Sequence, residues 1–363
     1  MLVDYLTEEA AGAERFAAGL ATSLPPDRYE VSVCVTRGTS GPLIEALDKA
    51  GVSWFGLERG TRFRPYAFLR LARFLVRSRV DVVHSHKFGS NVWGTLIGRL
   101  CGVPVIVAHE QTWSYEGQLL RRLLDRHLIG RFASAFVAVS TVDRDRMISI
   151  ERVPSEKITV VPNAYVPRED SSDGDLRAEL GLSRDVPLVG TAALLRPQKA
   201  LHVLIEALRL LLRSLPETHL VIAGDGSCRQ SLEQQAMEAG VVERVHFLGV
   251  RQDVGAVLEA LDVAALSSDF EGTPLFAFEC MAHGTPLVST DVGGMRDILE
   301  DGSSISLVPP RDPSALASAL EALLRDPERR ATMESAARAR LSEVTIDRIT
   351  GRISTLYERL LAR

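Results

Sequence analysis

Cysteine is scarce and scattered: Cys34, Cys101, Cys228 and Cys280 form no Cys-x-x-Cys pair. That excludes a disulfide-stapled scaffold and a zinc ribbon and suits a reducing compartment. No stretch approaches the roughly 18 apolar residues that a membrane-spanning helix needs, and the N-terminus has no basic region followed by an apolar core. A cytoplasmic enzyme is expected, although Met1 stands so close to the first strand that the true start is expected upstream. Lysine occurs only at Lys49, Lys87, Lys157 and Lys199, which is read as coding bias. A net charge of -5 and a pI near 6.0 supply no global cationic field, so nucleic acid is not an expected partner. Low-complexity tracts and short-period repeats are absent.

What is present is 363 residues at 46% hydrophobic and 25% charged, ordinary for a soluble chain and more than one core usually spans. Short apolar runs alternate with amphipathic helical stretches, the pattern of parallel strands joined by helical crossovers. The first series is expected at 2–6, 31–36, 52–56, 80–84, 103–108, 136–140 and 159–161. After a polar linker at 167–174, rich in Asp and Ser, a second series is expected at 188–191, 219–223, 245–248, 263–266, 286–290 and 305–308. Helices follow at 314–324 and within 329–361. The expectation is therefore an α/β chain of two doubly wound, Rossmann-like domains, 1–166 and 167–345, with a terminal helix at 346–363 crossing back to the first. Two such domains are expected to face each other across a cleft, with ligands at the carboxyl ends of the strands.

The most informative segment runs from Ser267 to Gly294, SSDFEGTPLFAFECMAHGTPLVSTDVGG, and reads as strand, loop, helix, strand. Glu271 lies in the loop, and Glu279 is expected about two turns into a helix opened by Thr273 and Pro274, where a proline's missing N–H costs nothing. The backbone N–H groups of Gly272, Thr273, Leu275 and Phe276 and the helix dipole favour an anion there, a diphosphate above all. Two carboxylates at this spacing can accept hydrogen bonds from vicinal hydroxyls. For a single Glu, helix capping is an equal alternative.

This segment resembles the Glu-x7-Glu signature of retaining glycosyltransferase family 4, of GT-B fold. The resemblance extends over Ala-Gly-Ala-Glu-Arg at 11–15, Val-Pro-Asn at 161–163, Arg-Pro-Gln-Lys at 196–199, Gly-Asp-Gly at 224–226 and Phe-Leu-Gly-Val-Arg-Gln-Asp-Val at 247–254. It implies that Glu271 contacts the transferred sugar, Glu279 holds the ribose and Lys199 grips the diphosphate, offsetting charge on the leaving group. It also implies that Gly12 and Gly224 allow close approach of the donor, that Val250 and Arg251 pack near the base, and that His109, expected just past a strand end, faces the sugar. Two positions depart from the pattern: Leu194 stands where the family commonly has Arg, leaving Arg196 as the nearby cation, and Ala11 replaces a glycine.

The resemblance further implies a nucleotide-sugar donor, most commonly UDP-linked, a glycan or lipid-linked acceptor in cell-envelope polysaccharide assembly, retention by front-face attack, and no metal or other cofactor. His84 and His86 form a His-x-His pair on one strand face, read as structural because no third ligand cluster accompanies it. Asp143 and Asp145 imitate a metal-binding Asp-x-Asp but are placed on a surface helix. Seven arginines between Arg59 and Arg79 interleave with apolar residues, a basic amphipathic segment that would suit anionic headgroups or simply form a solvated face over a helical core. A GT-B-like sugar-nucleotide epimerase and a silent nucleotide-sugar-binding subunit remain open alternatives. A nicotinamide dehydrogenase fits poorly, because Gly224-Asp225-Gly226 lacks the third glycine.

Overall fold

The computed structural model describes residues 1–6, 12–59, 65–111, 118–167 and 174–363. They fall into two compact units, Met1–Val166 with Val344–Arg363, and Pro167–Glu343. Most of the linker expected at 167–174 lies outside the described residues.

The first unit holds seven parallel strands: β1 Leu2–Leu6, β2 Ser32–Thr39, β3 Ser53–Gly56, β4 Val82–His86, β5 Val105–Glu110, β6 Ala135–Ala138 and β7 Ile158–Val160, ordered β3-β2-β1-β4-β5-β6-β7. The second holds six: β8 Leu188–Ala192, β9 His219–Ala223, β10 Val245–Gly249, β11 Val263–Leu266, β12 Leu287–Thr290 and β13 Ser306–Val308, ordered β10-β9-β8-β11-β12-β13. Central strands such as β5 and β9 are buried along their whole length, because helices cover both faces of a parallel sheet. In each sheet the order reverses once, between β1 and β4 and between β8 and β11. Those two points are where the loops leave in opposite directions and a crevice opens.

Two strands differ from expectation in a way that matters for chemistry. Val80 and Val103 do not begin strands; each closes the preceding helix. The Val80 N–H donates to the Leu75 carbonyl at 3.1 Å and the Val103 N–H to the Gly98 carbonyl at 2.9 Å, after Arg79 and Gly102 at positive φ. This is the helix-ending Schellman pattern, in which an apolar residue just beyond the left-handed position packs back on the last turn. At their other ends β4 and β5 run two residues further than expected, because the ladder pairing continues through His86 opposite His109 and Glu110 opposite Ala138, which takes His86, His109 and Glu110 into the sheet.

The helix Ile346–Leu361 belongs to the first unit. Ile349, Ile353, Leu356, Tyr357 and Leu360 form its buried stripe and pack with Phe16, Leu20, Val105, Val107 and Val137. The chain is pinned at its return by the Tyr165 N–H donating to the Val344 carbonyl at 2.8 Å. In the second unit the helices Leu201–Leu211 and Pro313–Leu324 pack against the sheet around Leu204, Leu208, Leu316 and Leu320.

Candidate functional site

The crevice of the second sheet is built from the turn after β8 and the loop after β11. A small depression at the carboxyl ends of these two strands is lined by Thr191, Ala193, Lys199, Ser267, Ser268 and Phe276, among others. Hydrogen bonds among the described residues stitch its two walls together. The Ser267 hydroxyl donates to the Lys199 carbonyl at 2.9 Å, the Asp269 N–H to the Gln198 carbonyl at 2.9 Å, the Gln198 side-chain amide to the Phe270 carbonyl at 2.9 Å, and the Lys199 ammonium to Glu271 Oε1 at 2.6 Å.

Glu271 is thereby held from several sides. Besides Lys199, the Ser268 hydroxyl donates to Oε1 at 2.7 Å and Gln198 donates to Oε2 at 3.3 Å. The Glu271 side chain is 7% exposed and that of Lys199 23%, so the pair is partly withdrawn from water. Removing either partner would strand the other's charge. Gln198 and Ser268 were not singled out from sequence; their signal is only proximity to Lys199 and Glu271 along the chain.

Glycines set the loop's path. Gly293 sits at φ +57°, and a Cβ there would lie 2.2 Å from the Glu271 carbonyl oxygen and 2.4 Å from that of Gly272. The Gly294 N–H donates to the Gly272 carbonyl at 2.6 Å. The backbone of the Glu271 loop is therefore pressed against Gly293 with no room for a side chain. Gly224 has the same function on the other wall: its Cβ would meet the Ala193 carbonyl oxygen at 1.9 Å.

The helix that follows runs Leu275–His283, with Pro274 as its capping residue. It starts later than expected, so Glu279 is little more than one turn in rather than two. The cause is Pro274 at ψ 126°, an extended conformation that holds the chain out of the helix for one more residue. Gly272 through Glu279 are all buried, and the N–H groups of Leu275 and Phe276 lie in the first turn, unpaired within the helix. Arg196 is exposed on the turn before Lys199, its guanidinium without a hydrogen bond or ion pair among the described residues. Leu194, where an arginine was anticipated, is half-buried. Val250 is 62% exposed. Arg251 is committed elsewhere, pairing with Asp253 at 2.7 Å and Glu179 at 3.0 Å.

In the first unit the reversal between β1 and β4 carries Gly12, the first residue of the helix Gly12–Ser23. Residues 7–11, including Ala11, lie outside the described residues. An ion pair joins buried Glu14 to Lys87. His109 lies within β5, not past its end as expected, and is 0% exposed, because it is paired on both sides, with His86 of β4 and Val137 of β6. A third imidazole does stand beside the His84 and His86 pair, one ring nitrogen from each of His84, His86 and His109 lying within 4.8 Å of the others. The rings of His84 and His86 stack with centroids 4.4 Å apart, and those of His84 and His109 lie 5.3 Å apart at 4°. Imidazole lone pairs lie in the ring plane, so the face-to-face rings of His84 and His86 do not aim their nitrogens at one point, while His84 and His109 meet edge to edge, Nε2 to Nδ1 at 3.2 Å, which spends one nitrogen of each on the other. Burial holds all three below the ordinary histidine range, His109 at about 3.

Asp143 departs from the expected surface position: it sits on the helix Thr141–Arg146, its N–H capped by the Ser140 hydroxyl, but is 1% exposed. Asp145 is exposed and pairs with Arg144. The basic segment forms the helix Phe68–Arg77, whose Phe68, Leu71 and Leu75 enter the core. Arg59 is buried over the Phe68 ring, and Arg70 donates to the Gly56 carbonyl at 2.9 Å. Arg62 and Arg64 lie outside the described residues. Arg73, Arg77, Leu69 and Val76 face solvent.

A feature without a sequence signal is Asp125, fully buried with neither oxygen hydrogen-bonded among the described residues. Burial first, then Glu151 and Glu110, push its carboxyl up to about 9. The folded chain thus keeps a proton that the unfolded chain releases near pH 4. Its unfolding free energy should fall as pH rises from about 4 to about 9, at up to roughly 1.4 kcal/mol per unit. Asp125→Asn should flatten this slope in melting temperatures recorded across pH 5–9; parallel curves for the two proteins would refute the assignment.

The family patterns described as "Glycosyltransferase Family 4" and "Glycosyl transferases group 1" match residues 10–168 and 172–340. A D-inositol 3-phosphate glycosyltransferase of Xylanimonas cellulosilytica is 31% identical over 71% of this chain and 67% of its own. The UDP-Gal:alpha-D-GlcNAc-diphosphoundecaprenol alpha-1,3-galactosyltransferase of Escherichia coli is 26% identical over 82% and 81%. Among solved structures, Anabaena HepE in complex with UDP aligns with a TM-score of 0.81 at 23% identity, covering 99% of this chain and 100% of that one.

Proposed function

Because the chain belongs to glycosyltransferase family 4, has a GT-B fold and is a glycosyltransferase, we propose that it moves a hexose from a nucleotide diphosphate sugar, UDP-linked in the first instance, to a glycan or lipid-linked acceptor of cell-envelope polysaccharide assembly, with retention at the anomeric carbon. The observation that carries this reading is the Lys199–Glu271 pair, 2.6 Å apart, at the strand reversal of the second sheet and beside a helix N-terminus. An ammonium and first-turn N–H groups favour a diphosphate, and a carboxylate fixed by Ser268 and Gln198 favours sugar hydroxyls.

In this reading the donor's diphosphate takes Lys199, with exposed Arg196 as a second cation. Glu271 accepts from the sugar and Glu279 from the ribose, Gly12 and Gly224 admit the donor closely, Val250 and Arg251 border the base, and His109 presents a ring nitrogen to the sugar. The bond from the anomeric carbon to the phosphate oxygen breaks as the acceptor oxygen attacks from the same face. The departing diphosphate takes the acceptor's proton, and Lys199 offsets its growing charge. No metal enters these steps. HepE crystallised with UDP-glucose, and the Escherichia coli relative is named for a UDP-Gal donor and a diphosphoundecaprenol-linked acceptor; both support the class of donor, and the second the class of acceptor.

Membrane contact is part of the proposal. Leu69 and Val76 are exposed beside Arg73 and Arg77, and Leu119, Leu120 and Leu123 are exposed near Arg126, a mixture suited to anionic headgroups. With about 1 kcal/mol per arginine near such a surface, Arg73→Glu with Arg77→Glu should cut cosedimentation with phosphatidylglycerol vesicles by tenfold or more. Unchanged cosedimentation would remove this part of the proposal.

The proposal as a whole is tested by a thermal-shift and turnover panel of UDP-, GDP- and ADP-sugars with the full chain, since a ligand of the folded state raises its melting temperature. One donor should stabilise the chain and release its nucleoside diphosphate. Stabilisation without turnover would favour a binding subunit; no stabilisation by any would sink the donor site.

A further inference from the structure

We infer that Tyr357 sets the tautomer of His109 through His84, so that His109 shows an Nε2–H donor, not a lone pair, to what it contacts. Contact with the sugar rests on the proposed function; the tautomer itself does not.

The chain of groups is short and closed. The Tyr357 hydroxyl lies 2.5 Å from His84 Nδ1, and His84 Nε2 lies 3.2 Å from His109 Nδ1. His109 Nε2 is buried without a partner among the described residues. All three residues are buried, and among the described residues the Tyr357 hydroxyl has His84 alone as hydrogen-bond partner. Each neutral imidazole carries one proton, so two arrangements exist.

In the first, Tyr357 donates to His84 Nδ1, His84 donates from Nε2 to His109 Nδ1, and His109 carries its proton on Nε2. One group is left unpaired, that N–H. In the second, His84 donates from Nδ1 to the Tyr357 oxygen and His109 donates from Nδ1 to His84. Two groups are then left unpaired: the tyrosine hydrogen and the Nε2 lone pair of His109. Buried unpaired polar groups are costly, so the first arrangement wins by one group. Burial, which disfavours the charged forms of both histidines and of the tyrosine, keeps every member neutral, as the count requires.

Removing the hydroxyl removes the bias. In Tyr357→Phe each arrangement leaves two groups unpaired, so both tautomers should be populated. The C-terminal helix, 273 residues from His84 in sequence, thus acts on His109 as a positioning element through a proton arrangement, beyond its packing.

The test is long-range 1H–15N correlation of histidine-labelled full-length protein, with His109 assigned by loss of its signals in His109→Gln. Wild type should show His109 with a protonated Nε2 and a bare Nδ1, and Tyr357→Phe should move both shifts toward intermediate values. Addition of the donor that is turned over should then move the Nε2 signal of wild type and leave Nδ1 in place. A wild-type His109 protonated on Nδ1 overturns the inference even if the Phe variant does not fold, and a folded Phe variant with an unchanged His109 overturns the role of Tyr357.

Discussion

Glu271→Gln should lose at least a hundredfold in turnover while its melting temperature moves by only a few degrees. The substitution keeps the shape that Ser268 and Gln198 grip but removes the charge that Lys199 faces at 2.6 Å. Two effects combine. In the proposed roles, the sugar loses a charged acceptor, worth more than a neutral one by about a factor of two, and Lys199 is released from a fixed position against the diphosphate. Loss of one preorganised electrostatic contact typically costs about 10²–10³ in turnover. Lys199→Met should do the same from the other side. The double variant should be far less than additive, because residues in contact share one interaction energy. Steady-state turnover of the donor identified by the panel measures all three. Additive losses would mean that the two side chains act separately.

Gly293→Ala should be among the most damaging single methyls in the second unit. The added carbon would overlap two backbone oxygens at 2.2 and 2.4 Å, and neither can move without shifting Glu271 and the Gly294 contact to Gly272 at 2.6 Å. Gly51 provides the internal control. It too has positive φ, +68°, but nothing lies within 4 Å of its Cβ position. Gly51→Ala should therefore cost only the left-handed penalty, about 1–2 kcal/mol. Gly293→Ala adds overlap with the backbone and should reach about 4 kcal/mol, the level at which single changes become exceptional, with donor turnover lost. Denaturant midpoints of the two variants side by side give the comparison; equal losses would show that the loop tolerates a side chain.

The periodicity of apolar runs revealed all thirteen strands, because a buried parallel strand is an unbroken apolar segment and its crossover helix is amphipathic. It misplaced the edges of β4 and β5. Val80 and Val103 are apolar for a helix-ending reason, and an apolar residue after a left-handed turn reads in sequence just like the start of a strand. The two-residue extension at the other ends moved His109 from a strand end into the sheet and hid the meeting of His84, His86 and His109, which depends on the register His86 opposite His109.

The Glu271 loop was legible because its residues are contiguous. Lys199 was legible by resemblance, but its bond to Glu271 spans 72 residues and no spacing announces it. Asp125, Tyr357 and Gly293 carried no signal: what matters about each is a distant neighbour, namely Glu110 and Glu151, His84, and the Glu271 carbonyl.

The central claim is that the strand reversal of the second sheet holds a nucleoside diphosphate. Calorimetric titration of UDP, GDP and ADP into wild type and Glu279→Ala tests it most directly. The account predicts one saturable site per chain for one of the three, weakened about tenfold or more in the variant, as loss of a charged hydrogen bond to the ribose implies. No saturable heat with any of them, or binding that Glu279→Ala leaves untouched, would contradict it.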